Sequence, residues 1–82
     1  MKKTGSLADL EPGEWGIISG LSAQGEMRRR LQDLGFINAT QVSCVQSSPL
    51  GDPRAYRVRE TVIALRRKDA ATILIKKEIP HE

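Results

Sequence analysis

Met27-Arg28-Arg29-Arg30-Leu31-Gln32-Asp33-Leu34-Gly35-Phe36 is the one stretch of this 82-residue chain whose apolar residues fall at helical spacing. Met27, Leu31 and Leu34 stand at i, i+4 and i+7, on one stripe of a helix, while Arg28, Arg29, Gln32 and Asp33 point elsewhere. Gly35 ends the pattern. A glycine just past the last periodic residue suits the left-handed position that closes a helix, and Phe36 beyond it is placed to fold back on Leu31.

Outward from this helix the pattern becomes strand and turn. On the N-terminal side, Trp15 to Leu21 alternates Trp15, Ile17, Ser19 and Leu21 against Gly16, Ile18 and Gly20, which favours a strand with nearly all its bulk on one face and glycines that permit close backbone approach or a bend. Pro12-Gly13 ahead of it has the order of a type II turn, and Ser6 to Leu10 reads as one helical turn capped by Ser6 with Leu7 and Leu10 facing the core. Lys2 to Gly5 is expected to fray. On the C-terminal side, strands are predicted at Gln41–Ser47, Arg54–Val58, Thr61–Leu65 and Thr72–Lys76, with Thr61–Leu65 apolar enough for burial on both faces. Ser48 to Pro53 is turn chemistry, Arg59-Glu60 a hairpin turn, Arg66 to Ala71 a helical turn and Ile79 to Glu82 a tail. Asp52 suits turn initiation and Asp69 a helix cap.

Five short strands about ten residues apart, with one helix between the first and second, describe a mainly β domain. A small antiparallel SH3-like barrel is the expected architecture, with an OB-type barrel as the alternative. Closure would remove the sheet edges. At this length the chain forms one domain, its core about residues 6–76, with both termini expected to be mobile.

Composition narrows the chemistry. Cys44 is the lone cysteine and His81 the lone histidine, so neither a disulfide nor a Cys/His metal site can staple the fold. Cys44 reads as a small core hydrophobe. The carboxylates Asp9, Glu11, Glu14, Glu26, Asp33, Asp52, Glu60 and Asp69 are scattered, no general base accompanies a hydroxyl, and the glycines form no phosphate-cradling loop. No catalytic residue and no cofactor or metal site is therefore expected. Only weak binding of Fe(II) or another divalent metal through Asp, Glu and His81 stays open. No segment has the length of a signal peptide or membrane span, which points to the cytoplasm. The formal charge of +3 is modest, but arginines cluster at 28–30, 54–59 and 66–67. A basic face of that kind suits an acidic partner, anionic lipid or nucleic acid.

The ordered set of motifs is more specific than any one of them. Leu10-Glu11-Pro12-Gly13-Glu14, Ile17-Ile18, Arg30-Leu31-Gln32-Asp33-Leu34-Gly35-Phe36, Pro49-Leu50-Gly51-Asp52-Pro53, Ile63-Ala64-Leu65-Arg66 and Asp69-Ala70-Ala71-Thr72-Ile73 together resemble the ferrous iron transport protein A (FeoA) family. The resemblance covers Ser6 to Ile75. It implies an SH3-like barrel that serves as a cytoplasmic, non-enzymatic accessory of the membrane ferrous iron permease, which carries a G-protein domain.

Carried over on this resemblance, Gly13, Arg30, Leu31, Leu34, Gly35, Gly51, Asp52, Pro53, Leu65, Arg66 and Ala70 are structural motif positions. Leu31, Leu34 and Leu65 are expected in the core. Arg28 and Arg29 are the candidate partner-binding residues, with peripheral membrane contact possible in principle for the same basic surface. A nucleic-acid-binding barrel is the rival reading, and the oligomeric state stays open. The chain departs from the family twice, with Asn38-Ala39 where Pro-Gly is usual and Glu60 where Gly is usual. Asn38 is expected to take any left-handed role at the first site, unless the turn changes type.

Overall fold

The computed structural model describes residues 2–47, 49 and 51–78. Along the chain lie β1 (Lys2–Ser6), a 3-10 turn (Leu7–Asp9), β2 (Trp15–Leu21), α1 (Gly25–Asp33), β3 (Gln41–Ser47), β4 (Arg54–Val58), β5 (Thr61–Leu65), α2 (Arg67–Ala70) and β6 (Ile73–Glu78). The six strands form one antiparallel sheet in the order β1-β6-β2-β3-β4-β5. It wraps a core that includes Leu7, Ile18, Leu31, Phe36, Tyr56 and Ile73. The class is the mainly β, SH3-like one expected, with α1 between β2 and β3.

Three expectations change. Residues 2–5 are not frayed: they form β1, which runs against β6 from Lys2↔Glu78 to Ser6↔Leu74. Lys2-Lys3-Thr4-Gly5 lacks the alternation that announces a strand, and its ladder with β6 depends on backbone groups that any sequence carries. The sheet also does not close through hydrogen bonds, since β1 and β5 stand at its two edges.

The buried face of β2 is the less bulky one. Gly16 and Ile18 face inward and Trp15 is 38% exposed. Closeness of β6 decides this: a Cβ at Gly16 would lie 3.0 Å from both Ile75 Cδ1 and the Lys76 carbonyl oxygen. Glycine lets the two backbones approach, and a side chain as large as Trp15 could not point there. Finally, β5 is buried on one face only. Leu65 is inside and Ile63 half-buried, while Val62 and Ala64, on the other face, are exposed, because a single sheet turns only one of its faces to the core.

The link from α1 to β3 overturns the assignment to Asn38. Ala39 itself has φ 71°. The Thr40 N–H donates to the Ile37 carbonyl, closing a four-residue turn whose third residue is Ala39, the position that requires positive φ in a type II turn. β2 locks that register, since Ala39 N–H donates to the Ile18 carbonyl at 2.7 Å and Ile18 N–H to the Thr40 carbonyl at 2.9 Å. Asn38 cannot take over the strain without breaking both bonds. Ala39→Gly is therefore expected to raise stability by about 1 kcal/mol, read as a higher urea midpoint at unchanged slope. An unchanged or lower midpoint would mean that the turn relaxes at no cost. In the hairpin the positive φ falls on Arg59, at 58°, beside the Glu60 position where it was in question.

Candidate partner-binding surface

α1 is the element on which the candidate residues converge. Its C-terminus closes as the sequence suggests: Gly35 has φ 114°, its N–H donates to the Gln32 carbonyl at 3.0 Å, and Phe36 N–H donates to the Leu31 carbonyl at 3.0 Å. That pair of bonds is a Schellman ending, and it turns the fully buried Phe36 back into the core beside Leu31.

The apolar stripe of α1 is only partly used. Leu31 is 1% exposed, but Met27 is 37% and Leu34 39% exposed. The expectation that Leu34 belongs to the core is thus corrected. Both side chains lie against a cleft of about 330 Å³ between α1 and β5 that Ile63, Ala64, Leu65 and Arg66 also line. Sequence periodicity identifies the stripe correctly but carries no information on how much of it another element covers, so Met27 and Leu34 could not be recognised as surface residues.

The two candidate arginines differ. Arg28 donates from Nη1 to the Leu21 carbonyl at 2.9 Å and so ties α1 to the end of β2. Arg29 projects from the helix with Glu26, Met27, Arg30, Asp33 and Leu34 around a second, shallower cleft. Apolar and charged groups thus share the outward side of α1, the mixture found at the anchors and rims of protein interfaces.

The remaining motif positions lie outside α1. Gly13 (φ 94°) follows Pro12 in a turn closed by Glu14 N–H to the Glu11 carbonyl, and its own N–H donates to the Cys44 carbonyl. Gly51 has φ 82° and precedes Asp52 and Pro53, both exposed. Asp52 does more than initiate a turn: its Oδ1 accepts the Arg67 N–H at 2.8 Å, supplying the cap that the sequence reading assigned to Asp69. Asp69 lies inside α2, and Arg66 occupies the position before it, its carbonyl accepting from the Asp69 and Ala70 N–H groups. Leu65 and Ala70 are buried. Arg54, only 16% exposed, hydrogen-bonds the Leu10 carbonyl and lies 3.5 Å from Glu11, holding the segment after the 3-10 turn against β4.

Two buried groups give the domain an alkaline limit. Burial pushes the Cys44 thiol above its ordinary 9.0, partly opposed by the nearby Arg54 guanidinium, and burial pushes the Tyr56 phenol above its ordinary 10.0. Both stay neutral in the fold while the unfolded chain ionises. Stability from their burial is complete below 9.0 and is lost as the pH rises through the unfolded values toward the folded ones. Thermal melts should therefore show the midpoint falling as the pH passes 9.0 and then 10.0. A level midpoint across that window would show that burial of these groups contributes nothing.

Among the described residues, no group of three or more His, Cys, Asp or Glu side chains is placed to hold a metal ion, and no helix is long and apolar enough to cross a membrane. Fold and surface define a small SH3-like β domain whose longer helix, α1, presents a half-covered apolar and basic side. Residues 5–77 match the FeoA domain, and the chain belongs to the FeoA family.

It is 34% identical over 70 residues to the Fe(2+) transport protein A/Fe(2+) transporter FeoB fusion protein of Porphyromonas gingivalis. That match covers 85% of this chain and 8% of the fusion protein, so the chain spans only a small part of that relative's length. The solution structure of a FeoA-like protein from Clostridium acetobutylicum is 28% identical, with a TM-score of 0.87 over 100% of this chain and 95% of that one. Stenotrophomonas maltophilia FeoA, solved in complex with zinc and described as a procaryotic SH3 domain protein, is 27% identical, with a TM-score of 0.76 over 85% of this chain and 87% of that one.

Proposed function

We propose that this protein is a non-enzymatic cytoplasmic accessory of ferrous iron uptake that acts by binding the membrane ferrous iron permease, at its G-protein domain. The observation that carries the reading is the Porphyromonas gingivalis relative, in which the matching segment is joined in one chain to the transporter FeoB. A covalent link holds two domains at high effective concentration, which favours working contact between them. The description of the Stenotrophomonas maltophilia protein as a candidate activating factor of ferrous iron transport agrees with this. Fe(II) is then the permease's cargo, and no resident cofactor or metal enters the reading.

The contact surface is the outward side of α1. Met27 and Leu34 supply apolar anchors, and Arg29 supplies charge against an acidic protein surface or the anionic headgroups beside the permease. Arg28 serves the fold through its bond to Leu21. Nucleic-acid binding fits less well, because two of the three aromatic side chains, Phe36 and Tyr56, are fully buried and only Trp15 is left for stacking on bases.

The test is a titration of the labelled protein with the permease's G-protein domain, following backbone amide shifts. Shifts should cluster on α1, and Arg29→Glu should weaken binding roughly five- to tenfold and flatten its salt dependence. If binding and fold both survive this reversal unchanged, α1 is scaffold only. No shifts anywhere on the protein would discard contact with that domain.

A further inference from the structure

The two edges of the sheet are not equally defended. β1 begins with Lys2-Lys3, and lysine on an edge strand discourages pairing with another sheet. β5, the other edge, reads Thr61-Val62-Ile63-Ala64-Leu65 and has no charge, proline or bulge. Its Val62 is 49% exposed.

The register of the β4–β5 hairpin fixes which backbone groups face outward. Val58 pairs with Thr61 across a two-residue turn, so these two residues exchange both their hydrogen bonds. Alternation then assigns the N–H and C=O of Thr61, Ile63 and Leu65 to β4, and those of Val62 and Ala64 to the open edge.

We infer that this edge is a pairing surface for a second copy of the same chain, through antiparallel β5–β5 contact about a two-fold axis at Ile63. An axis at Val62 or Ala64 would also match outward backbone groups, but only the axis at Ile63 brings Glu60 to Arg66. Ile63 faces Ile63 of the second copy, and Val62 of each copy faces Ala64 of the other, so the outward backbone groups of both strands meet their counterparts. The same register sets Glu60 of each copy beside Arg66 of the other, giving two opposite-charge pairs that flank the uncharged centre. A one-residue slip would place outward-bonding residues opposite inward-bonding ones. On the inner face, the cleft of about 330 Å³ bounded by Met27, Leu34 and Ile63 gives the second copy's apolar side chains a place to lie. Such a two-fold contact is the commonest way that soluble chains associate. The inference does not rest on the permease reading, but the two contacts share Met27 and Leu34, so the second copy and the permease would compete for them.

Sedimentation of the full chain from micromolar to millimolar concentration tests it. The expected result is a reversible monomer–dimer equilibrium in which the Val62 and Ala64 amides become protected from exchange as the dimer forms. Ala64→Pro deletes one outward donor per copy without removing a β4–β5 bond, and should abolish the dimer. Glu60→Arg and Arg66→Glu should each weaken it about tenfold, because each sets like charges opposite at two symmetric places, and the double variant should recover it. The recovery keeps the test decisive even if Ala64→Pro fails to fold. A chain that stays monomeric throughout, a dimer indifferent to these changes, or an edge that pairs only with a different protein would each overturn the proposal.

Discussion

Phe36→Ala is expected to lower unfolding stability by about 3–5 kcal/mol, the range for emptying a fully buried aromatic site. Phe36 has no exposed surface, and its backbone N–H forms the outer bond of the α1 ending at Leu31. Truncation leaves that bond in place and removes the ring that it positions. Most of the other core residues lie on strands, whose ladders limit how far the core can collapse into the void. A domain of this size has in total only roughly 4–12 kcal/mol, so the variant should be partly unfolded without denaturant. Urea unfolding followed by circular dichroism measures it. A cost below about 1 kcal/mol would mean that the ring is not packed as described.

Leu31→Ala should cost about 2–5 kcal/mol, whereas Leu34→Ala should fall within about 0.5 kcal/mol of the parent. The two leucines are three residues apart on one helix and are equivalent in any periodicity argument. Leu31 is 1% exposed and Leu34 39%. Comparing their urea midpoints at equal slope reports tertiary burial, since the residue types and the substitution are the same and helix propensity, which enters only at Leu31 because Leu34 is the C-cap, slightly favours alanine there. Equal costs would restore the sequence-based view that both belong to the core. A near-silent Leu34→Ala in stability that nonetheless weakens binding to the permease's G-protein domain would support α1 as a contact surface.

Most of the architecture was legible because it rests on local chemistry. The α1 ending was readable from Gly35 and Phe36, since the left-handed residue and the apolar contact beyond it are both sequence properties. Pro12-Gly13, the capped turn after Ser6 and the strands at Gln41–Ser47, Arg54–Val58 and Thr61–Leu65 were readable for the same reason. The motif positions were identified as a set by resemblance, and the structure gives most of them a mechanical task, such as Asp52 capping α2 across 15 residues.

What escaped the sequence depends on distant neighbours. β1 has no periodic signature, and its strand exists because β6 offers it a ladder. The inward face of β2 is the one with less bulk, because β6 passes so near that a Cβ at Gly16 would stand 3.0 Å from the Lys76 carbonyl oxygen. Ala39 adopts a conformation that its side chain disfavours because Ile18 holds both sides of the turn. The candidate contact surface follows the same logic: Met27 and Leu34 are surface residues only because β5 stands off from α1 and leaves a cleft.

For this chain the amino-acid sequence alone determined the positions of β2 to β6, the stop of α1 and the family. Those properties reside in runs of a few residues or in their order. Only the tertiary structure decided which face of β2 is inside, how much of the α1 stripe is covered, which residue takes the strain at the β2-locked turn, and which edge of the sheet is left uncharged and unpaired. Each of these is set by what packs opposite, and a residue's own neighbours in sequence do not record that.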